Sequence, residues 1–300
     1  FGGYSIWFCF GSLPAVMKLL RAVIYSNVYV ALVLGMLTLS SYAIISNIDW
    51  HLYTVLSVFF GSFILYNFHR LYKIDFIPKD QLSERHLWVL QRANALKISM
   101  GLALFAMMIL LPNYNADTIV CLIPAGLISV GYTIPIVPTE TGWRRLRDIP
   151  FTKPLIISLV VSYLTLAFPV FEQWGFAELK HQVFVKLFAE RMLFLLAVTI
   201  PFDMRDLASD KASGLETLAT QFGFEQTKKV GLVTLVAWFA MVVWRIYIVQ
   251  FEWMDLAFGS TLLLILLFAY WQTSPKRSDM FYVLIFEGAI LLYAIGWLLV

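Results

Sequence analysis

Charge is scarce in this sequence. Only 14% of the residues are Asp, Glu, Lys or Arg, where a soluble domain carries about 25%. Cysteine is nearly absent: Cys9 and Cys121 are the two present, and neither belongs to a Cys-x-x-Cys or Cys/His cluster. That argues against a zinc site or a disulfide framework. The four histidines are scattered and add nothing to a metal-cluster reading. A basic stripe is lacking too. The net charge is +3, and the basic residues sit in short clusters between apolar runs, so nucleic acid is not an expected partner. What is abundant is apolar surface, 60% of 300 residues in long runs that recur along the whole chain. Such an excess has to face lipid.

A helix crosses a bilayer with about 20 mostly apolar residues. Nine segments qualify, near 24–46, 50–70, 94–112, 116–137, 153–171, 184–204, 229–250, 253–272 and 280–299. They are continuously apolar rather than alternating, which excludes a closed barrel. The expected fold class is all-α, a polytopic membrane bundle of about nine transmembrane helices. Eighteen of the 22 basic residues fall before helix 1 or after helices 2, 4, 6 and 8. The exceptions are Lys180, Lys186, Arg191 and Arg245. Because basic loops stay cytoplasmic, the N-terminus is expected inside and the C-terminus outside. Met17, followed by Lys18, Leu19, Leu20 and Arg21, reads as a natural start. Residues 1–16 are therefore expected to be an upstream or poorly ordered extension, and 17–300 a single domain.

The connections on the predicted outer side near 47–49, 113–115 and 251–252 are very short, whereas 71–93 and 205–228 are long and polar. Long loops in a compact domain are usually functional. In the second of them Asp203, Asp206 and Asp210 recur at i, i+3, i+7, which puts three carboxylates on one helix face. Their mutual repulsion, and the cost of about 2.5–3.5 kcal/mol for a carboxylate at depth, call for a cation. Carboxylates without His or Cys favour a hard ion. Mg2+ takes one or two of them and is completed by water and substrate phosphates. The stripe thus reads as a site for a Mg-bound diphosphate. The alternative is a solvated acidic face partnered by Arg205 and Lys211.

This segment resembles the aspartate-rich second motif of the UbiA-type intramembrane prenyltransferases. The match runs through Asp203, Arg205, Asp206, Asp210, Gly214, Thr217, Leu218 and Gly223 and departs at Phe202 and Ala219. The first family motif, Asn-Asp-x-x-Asp-x-x-x-Asp, is matched only at Asn67 and Asp75, with Phe68 and Leu71 where inner aspartates stand. Those two side chains cannot ligate a metal. Arg70 and Lys73 then either contact the diphosphate, standing in for metal charge, or simply set orientation. After helix 4, Tyr132 with Arg144, Arg145 and Arg147 is similar to a third family segment, which implies donor positioning by Tyr132 and a phosphate clamp from an arginine. Pro135 ending a helix and positive-inside charge explain the same residues equally well.

The resemblance implies Mg2+ held by Asp203, Asp206 and Asp210. It also implies a polyprenyl diphosphate contacted by Asn67, Arg70, Lys73, Asp75, Tyr132, Arg147, Arg205 and Lys211. Transfer to a hydrophobic, often aromatic, acceptor in the cytoplasmic (inner) membrane would follow. Two rivals stand beside it: a non-catalytic isoprenoid-lipid binder, motivated by Phe68 and Leu71, and a secondary transporter, disfavoured because the polar motifs lie at one membrane edge rather than at mid-membrane breaks. Glu190, Arg191 and Glu287 fall inside apolar segments and are expected to pair within the bundle. Glu190 and Arg191 point about 100° apart, so each needs a different partner.

Overall fold

The computed structural model describes residues 14–45, 49–74, 82–140, 142–176, 182–249 and 253–299. Most of the expected 1–16 extension lies outside them, and helix α1, Pro14–Tyr25, starts three residues ahead of Met17. The chain continues as α2 (Val28–Ile44), α3 (Leu52–Ile74), α4 (Glu84–Gln91), α5 (Ala93–Leu110) and α6 (Ala116–Thr133). A small antiparallel hairpin, β1 (Val137–Thr139) with β2 (Gly142–Arg144), follows. Then come α7 (Thr152–Ser162), α8 (Phe168–Trp174), α9 (Gln182–Ala212), α10 (Leu218–Val249), α11 (Trp253–Gln272), α12 (Asp279–Tyr282) and α13 (Gly288–Leu299). Single π-helical turns, Tyr163–Ala167 and Val283–Glu287, weld α7 to α8 and α12 to α13.

The described residues thus contain a helical rod in each of the nine predicted segments. Seven helices are long and apolar enough to cross a membrane, or eight if α1 and α2, bent by 67°, count as one span. The rod that falls short is α9. It carries Glu190 and Arg191 toward one end and Asp203, Arg205 and Asp206 toward the other. Rods alternate in direction. The far ends of α3 and α9 meet the near ends of α2, α7 and α10 at one pole. At the other pole Tyr53 at the start of α3 donates to Glu172 at the end of α8 (2.6 Å).

Lipid exposure is plainest on α5, where Ile98, Leu102, Phe105 and Ile109 are each 58–66% exposed. Their i, i+4, i+7, i+11 spacing makes one continuous apolar stripe facing out of the bundle. The core is aromatic. Phe194 stacks on Tyr293 with centroids 4.3 Å apart and packs against Trp238, while Tyr270 meets Phe286 edge-on.

Prolines organise this core. A proline inside a helix strips the carbonyl four residues earlier of its donor. Pro169 frees the Thr165 carbonyl, which accepts from Arg191 Nη1 (3.0 Å) and from Ser41 Oγ. Pro201 frees the Ala197 carbonyl, which accepts from the Tyr270 hydroxyl (2.5 Å). That bond requires Gly231, because a Cβ there would stand 2.2 Å from the Tyr270 oxygen. Arg191 is thereby committed to helix joints, and Glu190 pairs instead with Arg245 Nε at 2.9 Å, with Asp255 on the other side of that guanidinium at 3.1 Å. The expectation of separate partners for the adjacent charges holds.

Candidate active site

The acidic stripe is built by the end of α9. Gly214 terminates the helix at φ +67°, and the Leu215 N–H reaches back to the Asp210 carbonyl at 2.9 Å. This is the six-to-one closure that a left-handed glycine makes cheap. Thr217 and Thr220 then start α10, each backbone N–H donating to the other's hydroxyl oxygen at 2.8 and 3.3 Å, before the chain breaks again at Gly223, φ +79°. The Gly, Thr and second Gly of the motif are thus turn-forming residues that aim the aspartates.

The turn also delivers a partner the sequence reading did not foresee. Phe151 N–H donates to the Glu216 carbonyl (3.3 Å), and the Phe151 ring stacks on Phe222 with centroids 5.5 Å apart. This clip seats the first turn of α7 against the motif. Lys153 projects from that turn into the stripe, with Nζ 3.0 Å from Asp203, 2.9 Å from Asp210 and 3.5 Å from Asp206. All three carboxylates do share a face, and the cation they close on is a lysine ammonium. Asp203 and Asp210 side chains are each 2% exposed, Lys153 9% and Asp206 28%. Asp206 also accepts from Arg205 Nε at 2.8 Å, and Arg205 lies 3.9 Å from Asp279. Lys211 is exposed in the last turn of α9.

One atom is left over. Asp203 Oδ2 is buried without a hydrogen-bond partner, which is costly for a charged oxygen. Among the described residues no three His, Cys, Asp or Glu side chains form a ready-made metal cage. An ion completed by phosphate and water needs none, and an orphaned hard oxygen on one face with two further carboxylates suits Mg2+. The donor set therefore fits that ion at the second motif.

A wall of the site comes from α6 and the hairpin loop. Arg147, 4% exposed, contacts His69 Nε2 at 3.0 Å, and its guanidinium lies 5.7 Å from the Tyr132 ring centroid. His69 also reaches Thr133 Oγ1 at 3.2 Å. Tyr132 lies within electrostatic reach of Lys153, Asp203 and Asp206, which ties this wall to the stripe. Arg145 is occupied elsewhere, gripping Asp148 through Nε (2.8 Å) and Nη2 (2.9 Å).

The first-motif side is built differently. Asn67 is fully buried and donates to the Ser26 and Phe63 carbonyls, both at 2.9 Å, while its Oδ1 accepts from Asn27 (3.0 Å). Asn27 sits left-handed, φ 61°, at the bend between α1 and α2. Asn67 therefore fastens that bend. Leu71 packs into an apolar cluster with Ile74, Val89 and Leu96, and Phe68 lies beside Tyr72 with centroids 6.1 Å apart. Arg70 Nη1 donates to the Tyr25 carbonyl at 3.0 Å. The Lys73 side chain and Asp75 lie outside the described residues.

Sequence reasoning counted Arg85 only as loop charge, and the structure places it in this rim. Its Nη2 meets Asn27 Oδ1 at 3.4 Å, and its Nε is buried without an acceptor. Burial, then the neighbouring Arg205, holds its pKa below the usual arginine value, with Glu287, Asp279 and Asp206 opposing. Arg70 is in turn within electrostatic reach of Arg85, Glu287 and Arg205.

No family model matches the sequence, and no curated protein matches it. Solved structures do. A UbiA homolog from Aeropyrum pernix K1, in its apo form, has a TM-score of 0.68 at 11% identity, over 90% of this chain and 97% of that one. A UbiA homolog from Archaeoglobus fulgidus bound to GPP and Mg2+ has a TM-score of 0.62 at 13% identity, over 94% and 99%. A UbiA homolog from Archaeoglobus fulgidus bound to DMAPP and Mg2+ gives 0.63 at 13%, over 93% and 97%. At such identities the likeness is one of fold.

Proposed function

We propose that this chain, whose fold is the UbiA type, is a Mg2+-dependent prenyltransferase of the cytoplasmic membrane. It takes a polyprenyl diphosphate at the aspartate end of the bundle and passes the prenyl group to a hydrophobic, often aromatic, acceptor. The observation that supports this most is the convergence of Asp203, Asp206 and Asp210 on a single point, with one buried carboxylate oxygen unpartnered. Solved neighbours of the same fold carry GPP or DMAPP together with Mg2+.

Asp203, Asp206 and Asp210 would hold the metal, which supplies charge neutralisation of the leaving diphosphate. Arg205 fixes the Asp206 carboxylate through its Nε, and its guanidinium lies 4.9 Å from the Phe202 ring centroid. Lys153 screens the carboxylates from one another. Arg147, held by His69 beneath the Tyr132 ring, keeps a buried positive charge next to the phosphate position. On the membrane side the Phe202 and Phe286 rings stand 6.5 Å apart. Such faces exclude water and stabilise an allylic centre that develops positive charge.

The test is diphosphate release from geranyl diphosphate by the purified protein, with a native lipid extract as acceptor source, in Mg2+ and in EDTA. Asp206→Ala is expected to lower turnover at least about 100-fold, the scale of losing one preorganised electrostatic element. Equal turnover in EDTA, or in Asp206→Ala, would sink the proposal. A non-catalytic isoprenoid binder is the second reading, favoured by Lys153 at the carboxylate centre and by Phe68 and Leu71. Under it, restoring Asp at positions 68 and 71 creates activity the wild type lacks.

A further inference from the structure

Half of the orphaned polar atoms lie together, at the pole away from the aspartates. Among the described residues twelve buried side-chain nitrogens and oxygens have no hydrogen-bond partner in the protein. Six of them belong to one knot: Glu190 Oε1, Arg191 Nε and Nη2, Arg245 Nη2, Trp238 Nε1 and Trp297 Nε1. Contacts join these side chains around Tyr293. The Arg191 guanidinium lies 5.9 Å from the Tyr293 ring centroid, and the Trp297 and Trp238 rings lie 6.1 and 6.5 Å from it. Arg245 completes the circle, with its guanidinium 4.3 Å from the Trp297 centroid and its Nε on Glu190. Glu190, Arg191, Trp238 and Tyr293 are at most 2% exposed. A buried polar atom without a partner is costly, and six in one place call for a guest. Its nature follows from two counts. Glu190 and Asp255 set two negative charges against the two guanidiniums, so the knot is formally neutral, and a guest ion would leave a net charge in a poorly solvated place. Five of the six atoms are donors and one is an acceptor, so the guest has to bring lone pairs above all, yet also a hydrogen for Glu190. The six are spread over α9, α10 and α13, which several small molecules reach better than one rigid one. Water meets each requirement, and buried waters settle where about two to four polar groups converge.

We infer that Glu190, Arg191, Trp238, Arg245 and Trp297 line an internal water site, which holds a resident cluster of ordered water around the Tyr293 side chain. Arg245 and Asp255, 13% and 12% exposed, are the least buried of its charged groups and mark the side from which the water exchanges. Toward the aspartates stand Phe194, Tyr270 and Phe286, all wholly buried. Arg191 and Asp203 are 12 residues apart on α9, about 18 Å along its axis. The bundle thus keeps water at one end without admitting it to the Phe202 ring at the other.

The experiment is X-ray radiolytic hydroxyl labelling of the purified full chain, in which radicals made from water oxidise the side chains that the water touches. Tyr270 is the matched control: the same residue type, as deeply buried in the same core, but with its hydroxyl bonded to the Ala197 carbonyl. Tyr293 is expected to label at least about tenfold faster than Tyr270, because resident water rather than bulk exposure supplies the radical. Rapid mixing into heavy-oxygen water just before irradiation then reports on residence. Trp253, 75% exposed, is expected to take up heavy oxygen at once, whereas the label on Tyr293 and Trp297 still carries the original light oxygen. Tyr293 as unreactive as Tyr270 overturns the inference. So does heavy oxygen on Tyr293 in step with Trp253, which would mean that water enters by transient opening and does not reside there. The transferase reading is independent of either result.

Discussion

Lys153 Nζ and Asp210 Oδ2 meet at 2.9 Å across 57 residues of chain. The contact joins the first turn of one helix to the last turns of another, inside a region where both side chains are almost wholly buried. Two consequences follow for metal binding. The ammonium occupies the place toward which all three carboxylates point, and under the proposed function a divalent ion held there would share them with it.

Replacing Lys153 by Met should therefore separate stability from metal affinity. Removing one partner of a buried ion pair costs about 3–5 kcal/mol, so thermal unfolding in EDTA is expected well below wild type. Mg2+ should restore most of that loss in the variant and shift wild type little. A variant equally stable in EDTA and Mg2+ would show that Lys153 does not share the metal's place.

Asp203→Asn keeps the shape and removes the charge of the orphaned oxygen. Mn2+ affinity, read by electron paramagnetic resonance, is expected to fall at least tenfold in the presence of pyrophosphate. Unaltered Mn2+ binding would remove Asp203 from the donor set.

At the opposite pole, Arg245→Met leaves Glu190 buried without its cation. A loss of about 3–5 kcal/mol is expected, visible as a lowered melting temperature, with pyrophosphate affinity at the folded temperature unchanged. A selective loss of pyrophosphate binding would instead couple the two poles.

Gly231→Ala and Gly126→Ala make a matched pair. A Cβ at Gly231 collides with Tyr270, whose hydroxyl serves the carbonyl freed by Pro201, while a Cβ at Gly126 meets nothing within 4 Å. Overpacking of this kind costs about 1–3 kcal/mol, and the lost bond adds to it. Gly126→Ala should be neutral or slightly stabilising. Equal melting temperatures for the two would contradict the described contact.

Much of this architecture was legible in the sequence because lipid imposes it. Continuous apolar runs give the rods, and the i, i+3, i+7 spacing of Asp203, Asp206 and Asp210 gives the shared face. Gly214 and Thr217 stood out only as motif matches, and the structure shows them to be turn formers. Lys153 was not legible: near the start of a span, a lysine looks like orientation charge, and only the Phe151–Glu216 clip reveals where it goes. Arg85 was hidden for the same reason. Asn67 matched a motif position, yet its amide is spent on the α1–α2 bend, a demand set by Asn27, 40 residues away. The prolines were visible, but which hydroxyl or guanidinium serves each freed carbonyl depends on tertiary packing, as with Arg191 at Thr165.

The bend at Asn27 decides where the first helix goes. At 1.5 Å per residue α1 is about 18 Å long, and turned 67° from α2 it travels mostly sideways, as an eave over the mouth of the bundle. Arg70 holds its inner edge through Tyr25, and Arg21 reaches Glu84 at 2.5 Å to pin the outer part to α4. Clipping those two tethers would leave the angle of α1 to the Asn67 amide and to the packing of Ile24 and Tyr25 against Val283.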